Sequence, residues 1–380
     1  MNTSPAAARP ATPLRRWIGA SSALVLAVTL AACSSTDETT SESTASESSS
    51  SSSSSTASSS DVVALAEAFA ATLSDDQQAE LFQEYTFENA ANWSNLPDAL
   101  LSGGPGGGSG GGRVGLQTDS LSDEQWAALE DLLAAVTGSG EDEGFDEILQ
   151  HLAADDYLGD NGGGSDYGAG NYFIAFLGTP SDSGTWELQF GGHHLAVANT
   201  YVDGALAGAT PSFRGIEPFQ TVEQDGETVQ PEQQEQAAFA ALLASLNDDQ
   251  LAAAELSTSY NDILLGPGND WAFPETSEGL VGSELTDEQQ DLLLAAIATY
   301  VDDVDDADAA TILAEYESEL DETYLAFSGT TGVDQQGDYI RIDGPSVWIE
   351  FSMQNGIVLS GAHPHAVWRD KQNDYGGTTS

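Results

Sequence analysis

Two kinds of hydrophobic spacing alternate along this chain. Residues 126–136 and 291–300 carry apolar side chains at the spacing of a helix with one buried face. Residues 186–190 and 339–343 instead alternate polar and apolar positions, as half-buried strands do. Ser122 and Thr286 each precede Asp-Glu-Gln and an apolar run. That order predicts an N-cap closed by a glutamine (Gln125, Gln289) in a capping box, with acids at the positive helix end. Asp203-Gly204 and Asn355-Gly356 favour two-residue hairpin turns.

These signals recur in the same order. Residues 68–77 match residues 241–250, Gly115-Leu116 matches Gly279-Leu280, and Ala175-Phe176-Leu177-Gly178 matches Ala326-Phe327-Ser328-Gly329. The expectation is an α+β fold: two similar helix-then-antiparallel-strand halves, about 64–215 and 236–376, form one pseudo-twofold domain spanning 61–380. Glycine-rich stretches at 103–112 and 160–170 interrupt the first half as loops.

Composition changes the picture at the N-terminus. Arg9, Arg15 and Arg16 precede an apolar run, residues 19–30, too short to span a bilayer as an ordinary helix. Leu30-Ala31-Ala32-Cys33 then looks like a lipobox, so residues 1–33 read as a lipoprotein signal peptide with Cys33 as the lipidated residue. Cys33 is the only cysteine, which excludes an intrachain disulfide and a Cys-based metal site. Residues 34–60 are mostly Ser and Thr, too polar to fold alone, and are expected to be a disordered tether reaching roughly 30 Å.

The formal charge is −54. Beyond Cys33 only Arg113, Arg214, Arg341, Arg369 and Lys371 face 62 acids, a balance of −57. A nucleic-acid partner is excluded on these grounds, because phosphate binding needs a basic surface. Small-molecule or cationic ligands remain compatible. Solubility in a salty or extracellular setting accounts for most of the charge.

The scarce histidines carry the candidate chemistry. Four of the five cluster, as Gly191-Gly192-His193-His194-Leu195 and as His363-Pro364-His365. A two-residue turn at Asn355-Gly356 would set Trp348 opposite His363 and Ser346 opposite His365. His363 and His365 then share one strand face, a workable pair of metal ligands. Pro364 cannot donate to a ladder, so an edge strand or a strand end is expected there. The same register in the first half sets His194 opposite Phe213. His193 and His194, being adjacent, are expected to face opposite sides of the sheet, so only one joins a shared site.

Weaker signals complete the map. Arg214, Arg341 and Arg369 lie in the histidine-bearing segments and suit either internal ion pairs or recognition of an anionic substrate; Glu350 is a candidate accessory acid. His151 sits alone on an acidic helix and reads as a surface residue. Residues 302–308 lack the glycine and distal Glu of a calcium loop and read as a solvated loop. No P-loop and no Gly-x-Ser-x-Gly elbow is present.

The motifs Gly192-His193-His194-Leu195, Pro211-Ser212-Phe213-Arg214-Gly215, Tyr339-Ile340-Arg341-Ile342, His363-Pro364-His365-Ala366-Val367-Trp368-Arg369-Asp370 and Asn373-Asp374-Tyr375-Gly376 together resemble the domain of unknown function 3500 family. The resemblance runs from about Ala64 to Gly376. It implies a shared fold and keeps attention on the two histidine motifs, without promising an activity. Where that family's pattern often has Asn before the His-x-His, this chain has Ala362, and no ligand is expected from a histidine beyond Asp374-Tyr375-Gly376.

The combined expectation is an extracytoplasmic lipoprotein held at the cell membrane through Cys33. Its leading function is a metal-dependent hydrolase or oxidoreductase using one divalent transition metal. His363, His365 and one of His193 or His194 would be the ligands. The alternative is a non-catalytic binding or surface-interaction lipoprotein whose histidines are structural.

Overall fold

The computed structural model describes residues 59–101, 112–224 and 226–377. The signal segment, Cys33, all but the last two tether residues and nearly all of the 103–112 loop lie outside these residues. The strands are β1 (Phe82–Gln83), β2 (Leu116–Gln117), β3 (Phe173–Leu177), β4 (Thr185–Gly192), β5 (Leu195–Val202), β6 (Ala205–Gly208) and β7 (Ser212–Gly215). They continue as β8 (Val222–Gln224), β9 (Glu227–Val229), β10 (Leu280–Val281), β11 (Tyr324–Ser328), β12 (Tyr339–Asp343), β13 (Val347–Asn355) and β14 (Ala362–Asp370). Twelve of them form one sheet in the order β1-β3-β4-β5-β7-β14-β13-β12-β11-β10, with β2 also on β3 and β6 also on β5. Ten helices accompany it among the described residues, so the fold is mixed α+β.

Alternation in the strands sorts the two faces of the sheet. In β4, Trp186, Leu188 and Phe190 join a core with the helices Ser59–Thr72, Asp123–Val136 and Gly144–Leu158. In β11 to β14, Leu325, Ile340, Ile349 and Trp368 pack likewise on the helices Gln233–Ser245, Asp287–Val301 and Asp306–Ser318. The opposite face is covered by irregular chain. There Ala175, Leu177, Phe213 and Val367 meet Trp93, Tyr375 and the partly buried Ile263 and Trp271.

Local rules placed the helices well. The Ser122–Gln125 and Thr286–Gln289 capping boxes both form, and so do Ser74–Gln77 and Asn247–Gln250. The box glutamines also pair across helices in both halves. Gln125 Nε2 donates to Gln77 Oε1 at 3.0 Å, and Gln289 Nε2 donates to Gln250 Oε1 at 3.0 Å.

Long-range features departed from expectation in three places. Asp203-Gly204 is a two-residue turn, with φ of 49° and 82°, but a bulge at Thr200/Tyr201 shifts the ladder beyond it. Leu195 therefore pairs with Arg214, and His194 does not oppose Phe213. Asn355-Gly356 is not the turn at all: Asn355 pairs with Ala362, Gln354 with His363 and Ser352 with His365. Gly356 N–H instead closes the longer loop on Gly361 O, while buried Glu217 accepts from the N–H groups of Val358 and Leu359 at 2.8 and 2.6 Å. Finally, β14 is central, between β13 and β7. Pro364 is tolerated because the carbonyl of Met353 opposite it accepts from Gly337 N–H instead, and because the β7 ladder ends at Gly215.

Candidate metal centre

The β4–β5 connection consists of His193 and His194, since Gly192 already pairs with Leu195. His194 takes a left-handed backbone, φ 63°, and its N–H donates to Asn95 O at 3.2 Å. Gly192 is required by its surroundings: a Cβ there would lie 2.6 Å from the Tyr172 ring. Tyr172 Oη in turn donates to His193 O at 2.8 Å, and Arg113 Nη2 donates to Gly192 O at 2.6 Å. The turn is thus clamped from three sides before any histidine ring is considered.

Strand β14 delivers the other two rings. His363 and His365, two residues apart, share the loop-covered face. One ligand nitrogen from each of His194, His363 and His365 falls within a group spanning no more than 4.8 Å, and all three residues are buried. His194 Nε2 and His365 Nε2 are 3.2 Å apart. Two nitrogens bound to one tetrahedral ion with bonds of about 2.0–2.1 Å would be about 3.3 Å apart. This arrangement can hold a metal ion.

The hydrogen bonding points the same way. His365 Nδ1 lies 3.0 Å from Asp262 Oδ1; donation there leaves the Nε2 lone pair facing His194. A carboxylate behind a histidine in this manner orients metal ligands generally. His194 Nδ1 and both nitrogens of His363 are buried without a hydrogen-bond partner. Burial pushes the His194 imidazole well below its ordinary pKa and His363 down to about 3, with the neighbouring histidines adding to both shifts. The rings are therefore neutral at physiological pH, the form that ligates.

His193 is close by but separate. Its ring stacks on His194 with centroids 3.7 Å apart, and its Nδ1 sits 2.7 Å from Asp155 Oδ1. The two residues form a turn and do not face opposite sides of a strand, because the ladder ends at Gly192.

The rare arginines are engaged by acids of this chain. Arg214 meets Glu147 and Asp303, Arg341 meets Glu278, and Arg369 meets Asp374 and Asp270. Glu350 accepts from the N–H groups of Leu264 and Leu265, Tyr339 Oη and Trp348 Nε1, so its oxygens are occupied away from the histidines. These contacts fasten the 256–280 segment over the sheet, and that segment carries Asp262 to His365.

Two expectations are corrected. His151 is no surface residue: it is 1% exposed and packs among acids. Residues 302–308 are not simply a solvated loop, since Asp303 is buried against Arg214, and Asp305 caps the helix Asp306–Ser318. A second group of buried ligand atoms, from Glu147, His151 and Glu232, also spans no more than 4.8 Å. Nothing in the local sequence joins these three. Glu147 and His151 lie on an acidic helix and Glu232 in a run of Gln and Glu, so no signal in the sequence marks them for burial together.

Among the described residues no helix is long and apolar enough to cross a membrane. Comparison with the curated proteins and with the solved structures yields no match. A family model described as a protein of unknown function (DUF3500) matches residues 55–377, which takes in both histidine motifs and every element of the sheet. The chain therefore belongs to the DUF3500 family.

Proposed function

We propose that this chain is a metal-dependent enzyme whose divalent transition metal is held by His194, His363 and His365. The observation that carries the proposal is the convergence of three buried imidazoles, two of them with unpartnered nitrogens. Unpartnered buried polar atoms are costly, and a cation relieves that cost. Three protein ligands are the pattern of catalytic centres, which leave a position for water or substrate, whereas structural zinc sites are closed by four. An all-nitrogen set suits zinc or copper. Such an ion supplies Lewis-acid polarisation or an activated water in the zinc case, and oxidative chemistry in the copper case.

Asp262, which positions His365, is itself half exposed. The low exposure of all three histidines favours a second reading, in which they only knit the β4–β5 turn to β14. Elemental analysis of the purified, untagged chain separates the two. The wild type is expected to hold one equivalent more zinc or copper than His363→Ala/His365→Ala. A folded wild-type chain with under about a tenth of an equivalent would sink the metal reading.

We also propose that Cys33 is lipidated and tethers the protein outside the cytoplasm, and that the two halves arose by duplication. The lipobox supports the first idea; the repeated capping boxes and glutamine pairs support the second. Radiolabelled palmitate incorporated into wild type and not into Cys33→Ser is the expected result. Equal labelling of both would reject the anchor.

A further inference from the structure

The helix-covered side of the sheet holds a buried polar cluster independent of the imidazole triad. Glu147 and His151 lie one turn apart in the helix Gly144–Leu158. Glu232 precedes the helix Gln233–Ser245, which carries Glu235. Asp303 follows the helix Asp287–Val301, and Arg214 reaches in from β7. All six are 5% exposed or less. Residues remote in sequence are thus gathered at one place where both halves meet.

The charges do not balance. Four carboxylates (Glu147, Glu232, Glu235, Asp303) face one guanidinium and one imidazole. Arg214 is taken up by Glu147 Oε2 at 3.0 Å and Asp303 Oδ2 at 2.6 Å. With all four acids ionised, three negative charges are left over when His151 is neutral and two when it is protonated, among residues that are almost fully buried. Burial with the crowding of like charges pushes Asp303 to about 7 and Glu235 well above the carboxylate range.

Several of the cluster's polar atoms are left without partners. Both carboxylate oxygens of Glu232, Glu235 Oε2, His151 Nε2 and Tyr300 Oη are buried with no hydrogen-bond partner. His151 Nδ1 is 3.0 Å from the carbonyl of Glu147, an acceptor only, so Nδ1 carries the proton and Nε2 points toward Glu232. His151 Nε2 and Glu232 Oε1 are 3.5 Å apart. That is long for a charged hydrogen bond, which closes to about 2.7–2.9 Å, and suits two ligands of one ion. Glu232 is held in a left-handed backbone, φ 64°, a conformation that surrounding contacts must enforce.

We propose that Glu147, His151 and Glu232 form a second, buried divalent-cation site, whose ion offsets two of the three negative charges left when a neutral His151 ligates. A mixed imidazole and carboxylate set suits Mn²⁺, Fe²⁺ or Zn²⁺ better than copper. Arg214 then positions Glu147, and Asp303 neutralises Arg214. The site is structural in placement: it ties the helix Gly144–Leu158 of one half to the segment that opens the other.

The test uses the full chain carrying His363→Ala/His365→Ala, stripped with chelator, so that the triad contributes nothing. Mn²⁺ alone is titrated and followed by loss of the free-ion electron paramagnetic resonance signal, and Zn²⁺ by equilibrium dialysis. One equivalent of either ion is expected, with at least about tenfold weaker binding in both Glu232→Gln and His151→Gln. A folded parent that binds neither ion overturns the site. So does binding that His151→Gln and Glu232→Gln leave unchanged, which would mark surface acids as the ligands. Should a variant fail to fold by circular dichroism, the stoichiometry of the parent decides: one equivalent that also raises its melting temperature supports the site, and none overturns it.

Discussion

On the loop-covered face, His194, His363 and His365 bring three imidazoles together, with the single carboxylate of Asp262 behind His365. On the helix-covered face, four carboxylates crowd around Arg214 and His151. β14 and β7 are paired strands of the same sheet, and His365 and Arg214 point to its opposite sides through the partners Gly215 and Ala366. The first cluster tolerates burial because imidazoles discharge: His363 falls to about 3. The second cannot discharge Arg214, so its acids must ionise in part, and burial then demands a cation or protons. The contrast teaches that one pair of strands can support a ligand set made of neutral bases and another made of anions, provided each is turned to its own face.

Breaking the acidic side should have the largest effect. Arg214→Met leaves Glu147 and Asp303 without their cation and is expected to cost about 3–5 kcal/mol in urea unfolding. Arg214 holds Asp303 down against the effect of burial, so without it Asp303 takes up a proton more readily and acidification should recover part of the loss. A cost below about 1 kcal/mol would show that the acids are already protonated around Arg214.

Glu187 sharpens the contrast, since it is a buried carboxyl group on the loop-covered face with only neutral donors, Gln189 Nε2 at 2.7 Å and Thr200 Oγ1 at 2.9 Å. Burial raises it from 4.5 to about 7. The native chain therefore holds this proton more tightly than the unfolded chain. Stability is present below the unfolded value and is lost as pH rises from about 4.5 through about 7. Glu187→Gln should remove that slope and gain on the order of 3 kcal/mol above the window. Melting curves across pH for both proteins check this, and parallel profiles would contradict it.

A smaller effect is expected at Asp262, whose side chain is 49% exposed and whose carboxylate orients His365. Asp262→Asn should weaken metal binding roughly 10–100-fold while leaving the melting temperature of the metal-free chain unchanged. Equal affinity in the variant would remove Asp262 from the site. Smallest are the caps, where the halves are alike: Ser122→Ala and Thr286→Ala should each cost about 1 kcal/mol. Markedly unequal costs by chemical denaturation would show that two caps with the same hydrogen bonds sit in regions of unequal stability.

Much of the local structure was legible. Capping boxes need only residues three apart, and they formed at Ser122 and Thr286 as expected. Strand alternation likewise located β4 and β12, and it put His363 and His365 on one face. The β13–β14 register was not legible. Asn355-Gly356 is a good hairpin dipeptide, yet Glu217, more than a hundred residues away, holds the N–H groups of Val358 and Leu359 and stabilises a longer loop.

The chain by itself determined the α and β segments, the helix caps, the extreme acidity and the two histidine motifs, because each depends on near neighbours or on composition alone. Only the tertiary structure decided that His194 meets His363 and His365 while His193 turns to Asp155, because a two-residue turn orients side chains in ways strand alternation does not describe. It also decided that His151 and Asp303 are buried around Arg214. Charge clusters of that kind arise from the packing of distant helices, and no local pattern encodes which acids must share one cation.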